Sequence, residues 1–278
     1  MSQLIPTRVG TLRVDVQDAG DHLPAALLWH SLFVDERSWE RVVPYLSRDR
    51  RLINVRGPGH GGSGDAGHRY SILDCAEAAL EILDMIGVQG PVDWVGNAWG
   101  GHVGIVFAAS HPDRIRTLVT AGTPVHPYPL SGRLSTQAMV AVYRLLGPVG
   151  YLTNAVVEAL LSESTRAEDT PAADLVRDSF MRADRHGMAN AVVSISLRRP
   201  DLTPLLPEVQ VPTLFITGSD HPDWSPEQVR AAAALLPRGS SHVIDRAAYL
   251  VPLEAPAEFS RCVREFWAIH PAGAARVD

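Results

Sequence analysis

The fold is decided by one stretch, Pro91-Val92-Asp93-Trp94-Val95-Gly96-Asn97-Ala98-Trp99-Gly100-Gly101. Its first five residues predict a short buried strand, and the residues after the turn, 100–109, are typical of a helix with small side chains facing a sheet. The spacing Gly96-x-Ala98-x-Gly100 is that of a tight turn that presents its central side chain, normally a nucleophile, to an active-site pocket. Alanine has no lone pair with which to attack an electrophile. The stretch therefore predicts a catalytic scaffold without its usual nucleophilic atom.

Strand and helix patterns alternate on both sides of this turn. An antiparallel hairpin is predicted over 4–17, with its turn near Gly10. Further buried strands are predicted over 25–29, 51–55, 115–121, 212–217 and 241–244. Helices are predicted over 72–86, 226–236 and 256–269. Such alternation predicts an α/β fold with a mainly parallel, eight-stranded sheet covered by helices on both faces.

The segment 125–202 interrupts the alternation. Helical patterns recur there, with no strand candidate between them, over 135–146, 149–161, 172–185 and 188–197. We therefore predict a helical cap, or lid, over 125–202, inserted into an α/β core formed by 1–124 and 203–278.

Composition narrows the class of protein. The chain has 278 residues, of which 46% are hydrophobic and 20% charged, which suits one α/β core with an insertion. The net charge is −6 and no basic stripe is visible, so nucleic acid and acidic membrane surfaces are not expected as partners. All 25 basic residues are arginine, which excludes Schiff-base chemistry on a lysine and is typical of a high-GC bacterium.

Sequence patterns also predict the cellular location of the protein and whether it needs a metal or a cofactor. Cys75 and Cys262 lie in helical patterns and predict buried thiols in a reducing cytoplasm. The N-terminal residues lack a basic segment followed by an apolar run, and no stretch approaches 18 apolar residues, so a cytoplasmic protein is expected. No metal-ligand spacing and no dinucleotide fingerprint are visible, so neither a metal nor a cofactor is expected.

Three further motifs accompany the turn. His30-Ser31-Leu32-Phe33 follows a predicted strand, 56–63 is rich in glycine, and 247–256 ends in Glu254-Ala255-Pro256. Taken together, these motifs resemble the α/β-hydrolase superfamily over nearly the whole chain, most closely its capped esterases, epoxide hydrolases, dehalogenases and C–C hydrolases. The resemblance implies the α/β-hydrolase fold. It also implies that His30 begins the oxyanion loop, where Ser31 replaces the usual glycine.

The resemblance places non-catalytic residues at all three triad positions. The nucleophile corresponds to Ala98, the catalytic histidine to Tyr249, and the acid to His221, the third residue after Gly218. Asp220 lies one residue before His221, the position that corresponds to the acid. An engineered inactive esterase would carry one such change rather than three, because removing the nucleophile already abolishes most activity. We therefore favour the interpretation that this is a natural protein that no longer hydrolyses substrates with a triad.

An oxyanion site is nevertheless implied beside Ala98. The backbone N–H groups of Trp99 and of the Leu32 region would converge there, and such donors stabilise an enolate or phenolate as well as a tetrahedral intermediate. The side chains of Trp99 and Phe33 are expected in the pocket. Asn97, next to the missing nucleophile, is a further pocket candidate.

The remaining candidates are titratable side chains. Tyr249 is a candidate proton donor and His221 a candidate proton exchanger. Alternatively, Tyr249 fills the space of the missing triad, and His221 is a solvated loop residue. His30 is expected to brace the oxyanion loop, and His126, where the cap begins, is expected to face the cleft.

Three functional hypotheses remain open. The first is a non-hydrolytic enzyme that acts without a cofactor on a bulky apolar substrate in a cap–core cleft. Its reaction would be a cyclisation, C–C bond formation, isomerisation or elimination in natural-product biosynthesis. The second is a small-molecule receptor or carrier with an inactive triad, and the third is hydrolysis by water activated by His221 or His102. The expected partner is a small molecule, and a homodimer is compatible with the sequence.

Overall fold

The computed structural model describes residues 1–17 and 23–272, with Ser131 described by its backbone only. The strands found there are β1 (Ser2–Thr7), β2 (Gly10–Val16), β3 (Ala25–Trp29), β4 (Arg51–Val55), β5 (Val92–Asn97), β6 (Ile115–Ala121), β7 (Thr213–Gly218) and β8 (Gly239–Ile244). They form one sheet in the order β1-β2-β4-β3-β5-β6-β7-β8. The strand β2 pairs antiparallel with β1 and β4, and all other pairs are parallel. The predicted eight-stranded, mainly parallel sheet is confirmed.

The helices are α1 (Val43–Leu46), α2 (Ile72–Met85), α3 (Trp99–Ser110), α4 (Leu130–Leu146), α5 (Gly150–Leu160), α6 (Glu163–Glu168), α7 (Thr170–Arg182), α8 (Arg185–Ala191), α9 (Pro226–Ala233), α10 (Val251–Glu254) and α11 (Pro256–Ile269). Short 3₁₀ segments cover Glu36–Trp39, Pro112–Arg114 and Thr203–Glu208, and a π-helical turn covers Val192–Leu197. The described residues contain no helix with the length and apolar character needed to cross a bilayer.

The central strands are buried on both faces of the sheet, because helices cover both. Along β3, Leu27 and Trp29 enter a core that also contains residues of α2 and α3, whereas Ala26 and Leu28 enter a core shared with α11. This two-residue alternation is the period of side chains along a strand. The sheet is thereby held rigidly between two apolar layers, with the carboxyl ends of its parallel strands free to carry a site.

The helices α4 to α8 lie between β6 and β7, in the segment for which the cap is predicted. They share an apolar cluster with three core residues, Val34, Leu250 and Leu253. One difference from the sequence pattern concerns α6, which was not predicted. The helix α6 begins where the Ser162 hydroxyl accepts a hydrogen bond from the Thr165 N–H. The next helix, α7, begins where the Asp169 carboxylate accepts one from the Ala172 N–H.

Candidate active site

The turn between β5 and α3 keeps the geometry that presents a nucleophile, although Ala98 has none. Ala98 is half-buried, and its backbone angles are φ 46° and ψ −101°, a region that L-residues rarely occupy. The flanking glycines make the turn feasible. A Cβ on Gly96 would lie 2.2 Å from the carbonyl carbon of Gly100, and one on Gly100 would lie 1.8 Å from the Trp29 oxygen. The strained backbone of a catalytic turn is thus preserved without its nucleophile.

The candidate oxyanion donors lie on two connected segments. The Gly100 N–H donates to the His30 carbonyl oxygen at 3.2 Å, which joins the first turn of α3 to the loop that carries Leu32. Over residues 1–17 and 23–272, no protein acceptor receives the N–H of Leu32 or of Trp99. Two unpaired donors on adjoining segments are what the stabilisation of a developing oxyanion requires.

Two buried histidines hold this loop in place. The His30 Nε2 atom accepts the Gly57 N–H at 2.9 Å, so its Nδ1 carries the hydrogen and donates to the Ser31 oxygen at 2.6 Å. In the same way, the His60 Nε2 atom accepts the Phe33 N–H at 3.3 Å, and its Nδ1 donates to the Pro58 oxygen at 2.8 Å. Burial lowers the pKa of His30 to about 4 and that of His60 to about 3. Both rings are therefore neutral braces at neutral pH.

The depressed pKa of His60 predicts a pH-dependent stability. Because the unfolded chain takes up a proton near pH 6.5 and the folded chain does not, the stability present above pH 6.5 is lost as the pH falls towards 3. Between pH 7 and pH 5 this amounts to about 2 kcal/mol for His60. Urea unfolding at both pH values should show a free energy of unfolding that falls by about that much more in the wild type than in His60→Gln. Equal pH dependence in the two proteins would show that His60 is not held neutral.

The two aromatic candidates beside the turn lie in different surroundings. The Trp99 side chain is 1% exposed and packs against Trp29, His30 and His60, with ring centroids 5.4 to 5.7 Å away. Its indole is part of the core, contrary to the expectation that it faces the pocket, because glycine at position 57 leaves space for it there. Phe33 is half-buried and packs against Phe180 of α7 at 6.0 Å. Trp99 thus offers the site its backbone N–H alone.

Tyr249 is joined to a carboxylate that the sequence analysis missed. Its hydroxyl donates a hydrogen bond to Asp223 Oδ2. Burial and the Asp223 carboxylate together raise the pKa of Tyr249 above its ordinary value, so the phenol stays protonated at neutral pH. The Asn97 amide donates to the Tyr249 carbonyl oxygen at 2.8 Å, which connects this segment to the turn at Ala98.

Two of the three positions to which the resemblance assigns the triad lie together. The rings of His221 and Tyr249 are 3.8 Å apart between centroids. Asp220, in contrast, is exposed and accepts a hydrogen bond from the Ser219 hydroxyl. Asp223 lies five residues after the Gly218 that ends β7, so the usual three-residue spacing could not identify it.

The histidines proposed to activate water are poorly suited to that role. The His221 Nδ1 atom accepts the Asp223 N–H at 3.2 Å, so the ring hydrogen is on Nε2, and burial lowers its pKa to about 4. Neither nitrogen of this tautomer offers a lone pair to water. The His102 Nε2 atom lies 2.8 Å from the Pro124 carbonyl oxygen and must donate to it, and the residue is only 3% exposed. The geometry therefore argues against the water-activation hypothesis.

A cavity of about 300 Å³ opens beside the Tyr249–Asp223 pair. It is lined by Pro124, His126, Tyr128, Pro129, Arg199, Pro222, Asp223, Gln228 and Tyr249. His126 is part of this lining, and its ring packs on Trp224 with centroids 5.1 Å apart. Ala98 is not part of this lining. Within the described ranges, no group of three or more His, Cys, Asp or Glu side chains has the arrangement of a metal site.

Comparison with known proteins agrees with this architecture. The family model described as alpha/beta hydrolase fold matches residues 27–256. The chain belongs to the alpha/beta hydrolase fold family. The predicted resemblance to that superfamily is confirmed.

The chain is similar to proteins with enzyme names. One relative is a 2-hydroxy-6-oxononadienedioate/2-hydroxy-6-oxononatrienedioate hydrolase of Burkholderia vietnamiensis. The two sequences are 28% identical, and the alignment covers 92% of this chain and 91% of the relative. A Bacillus subtilis protein, provisionally named 2-succinyl-6-hydroxy-2,4-cyclohexadiene-1-carboxylate synthase, is 26% identical over 92% of this chain and 94% of its own length. Among solved structures, a thermophilic esterase from Thermogutta terrifontis has a TM-score of 0.88 and 26% identity, covering 98% of this chain and 100% of the esterase.

Proposed function

We propose that this member of the alpha/beta hydrolase fold family is a non-hydrolytic enzyme that works without a cofactor. The observation that carries the proposal is Ala98 in a turn that keeps the strained geometry of a nucleophile position. A methyl group there cannot form an acyl-enzyme, so covalent triad hydrolysis is closed to this chain. The reactions that suit the site are cyclisation, C–C bond formation, isomerisation and elimination on a bulky substrate, such as those of natural-product biosynthesis.

The first support is the oxyanion site. Where such a reaction passes through an enolate or a phenolate, the N–H groups of Leu32 and Trp99 are unpaired donors of the kind that stabilise this anion. One donor of this kind contributes roughly 10²- to 10³-fold in rate. Because the donors belong to the backbone, they do not depend on the residue at position 98.

The second support is a hydrogen-bond donor. Tyr249 is protonated at neutral pH and hydrogen-bonded to Asp223, and both line the cavity. In the proposed reaction the Tyr249 hydroxyl turns from Asp223 to the developing anion and stabilises it by donating a hydrogen bond, while the proton stays on the phenol.

The relatives bear on the class of substrate. Their names denote a hydrolase of an unsaturated hydroxy-oxo diacid and a synthase of a hydroxylated cyclohexadiene carboxylate. We propose a substrate of related chemistry, with an enolisable or conjugated carbon skeleton. The proposal departs from the hydrolase names because the resemblance assigns Ala98, Tyr249 and His221 to the triad positions.

The decisive experiment compares metabolites of a strain lacking this gene with those of its parent by mass spectrometry. We expect one precursor to accumulate, and the purified protein to convert it without added cofactor and without incorporating ¹⁸O from labelled water. Incorporation of ¹⁸O would instead establish a hydrolase. An unchanged set of intermediates, with altered output of a whole pathway, would indicate a receptor or carrier.

A further inference from the structure

Arg199 is a cationic side chain in the cavity wall that has no carboxylate partner among the residues the structure describes. Its Nε–H donates to the His126 carbonyl oxygen at 2.9 Å. Its Nη1 atom lies 3.4 Å from His102 Nε2, but that nitrogen donates its own hydrogen to Pro124 and cannot accept another. The terminal N–H groups of the guanidinium are therefore available to a ligand.

Two other enclosed arginines of this chain form ion pairs. Arg37 pairs with Asp35 at 2.7 Å, and Arg50 pairs with Asp93 at 2.5 Å. A partly buried charge without a counterion is costly, because desolvation is not offset by an ion pair. An arginine in a cavity wall without an ion pair is therefore typical of a site whose counterion arrives with the ligand.

The carboxylate that shares the cavity forms no direct ion pair with Arg199 among the described residues. Asp223 accepts the Tyr249 hydroxyl and forms no salt bridge with Arg199 in the described part of the chain, so it acts on the guanidinium only from a distance and offsets only part of the effect of burial. Burial lowers the pKa of Arg199, but a guanidinium remains charged throughout the accessible pH range. The cavity therefore presents a cation on one wall and a hydrogen-bonded Tyr–Asp pair on another.

We propose that Arg199 is the specificity-determining residue of the site and binds a carboxylate of the substrate. A guanidinium presents two parallel N–H groups that match the two oxygens of a carboxylate. The rest of the lining, including Pro124, Pro129 and Tyr128, suits a flat apolar body, and about 300 Å³ admits a small bicyclic acid. The assignment rests on the proposed function in that the cavity is taken as the substrate site.

The test uses 1-naphthoate and its uncharged analogue 1-naphthamide as probes, with binding measured by calorimetry on the full chain. We expect the wild type to bind naphthoate about tenfold or more tightly than naphthamide, as hydrogen bonds to a charged group predict. Arg199→Gln should lose this preference and keep its affinity for naphthamide. Arg198→Gln is the matched control, because Arg198 is the exposed neighbour in sequence and should keep the full preference.

The outcomes separate this proposal from the proposed function. Equal affinity of the wild type for the two probes, or the same preference in Arg199→Gln and Arg198→Gln, would overturn the assignment of Arg199. If thermal unfolding shows that Arg199→Gln does not fold, Arg199→Lys takes its place. This variant keeps the positive charge but not the two parallel N–H groups, so we expect it to lose most of the preference for naphthoate. Since binding is measured without turnover, the result stands whether or not the protein catalyses a reaction.

Discussion

The variant Ala98→Ser/His221→Asp/Tyr249→His is expected to hydrolyse p-nitrophenyl acetate on the order of 10³-fold faster than the wild type. The physical reason is that the scaffold of a triad is already in place. The turn at 98 has the required φ of 46°, and positions 221 and 249 are in ring contact. The oxyanion donors come from the backbone and need no change.

Partial variants show which group supplies the gain. Ala98→Ser alone should remain near the wild-type rate, because a serine without a base is a weak nucleophile. Ala98→Ser/Tyr249→His keeps Asp223, which already bonds the Tyr249 hydroxyl, and so tests whether that carboxylate can orient the imidazole. No hydrolysis by a folded triple variant would mean that positions 221 and 249 do not correspond to the acid and the histidine. Initial rates followed at 405 nm suffice for the whole series.

The substitution Gly100→Ala is expected to lower the free energy of unfolding by about 3 kcal/mol or more. The added Cβ would lie 1.8 Å from the Trp29 carbonyl oxygen and 2.5 Å from its carbon, which are backbone atoms of the central strand β3 and cannot rotate away. The first turn of α3 would have to move away from β3, which would break the Gly100-to-His30 hydrogen bond and displace the oxyanion loop.

Urea unfolding at unchanged m-value measures this effect. Gly90→Ala is the matched control, because Gly90 is exposed and its added Cβ would meet nothing within 4 Å. Its free energy of unfolding should change by less than about 1 kcal/mol. Similar midpoints for the two variants would contradict the close approach of α3 to β3.

The helix and strand positions were predictable because each depends on neighbours in sequence. Ser71 and Asp74 form the reciprocal capping hydrogen bonds that begin α2, as the serine before an apolar period indicated. The glycine spacing around Ala98 likewise identified the turn between β5 and α3. The helix α6 was missed because it is six residues long and shows no apolar period.

The candidate site was predictable only in part. Motif positions placed Tyr249 and His221 near each other, but not the hydrogen bond from Tyr249 to Asp223, since no sequence spacing relates those residues. The Trp99 side chain was expected in the pocket, yet its direction depends on the space above Gly57, which lies 42 residues earlier. The sequence did not indicate a role for Arg199, because only the tertiary structure shows whether an arginine has a carboxylate partner.

The sequence by itself determined the α/β architecture and the turn at Ala98. Each of these depends on residue identity and on spacing over a few positions, which periodicity and backbone sterics convert directly into local structure. Only the tertiary structure decided which groups face the cavity, which tautomer His221 adopts and which arginine lacks a counterion. Those properties depend on burial and on contacts between segments far apart in the chain, and these arise only when the sheet and its helices have packed together.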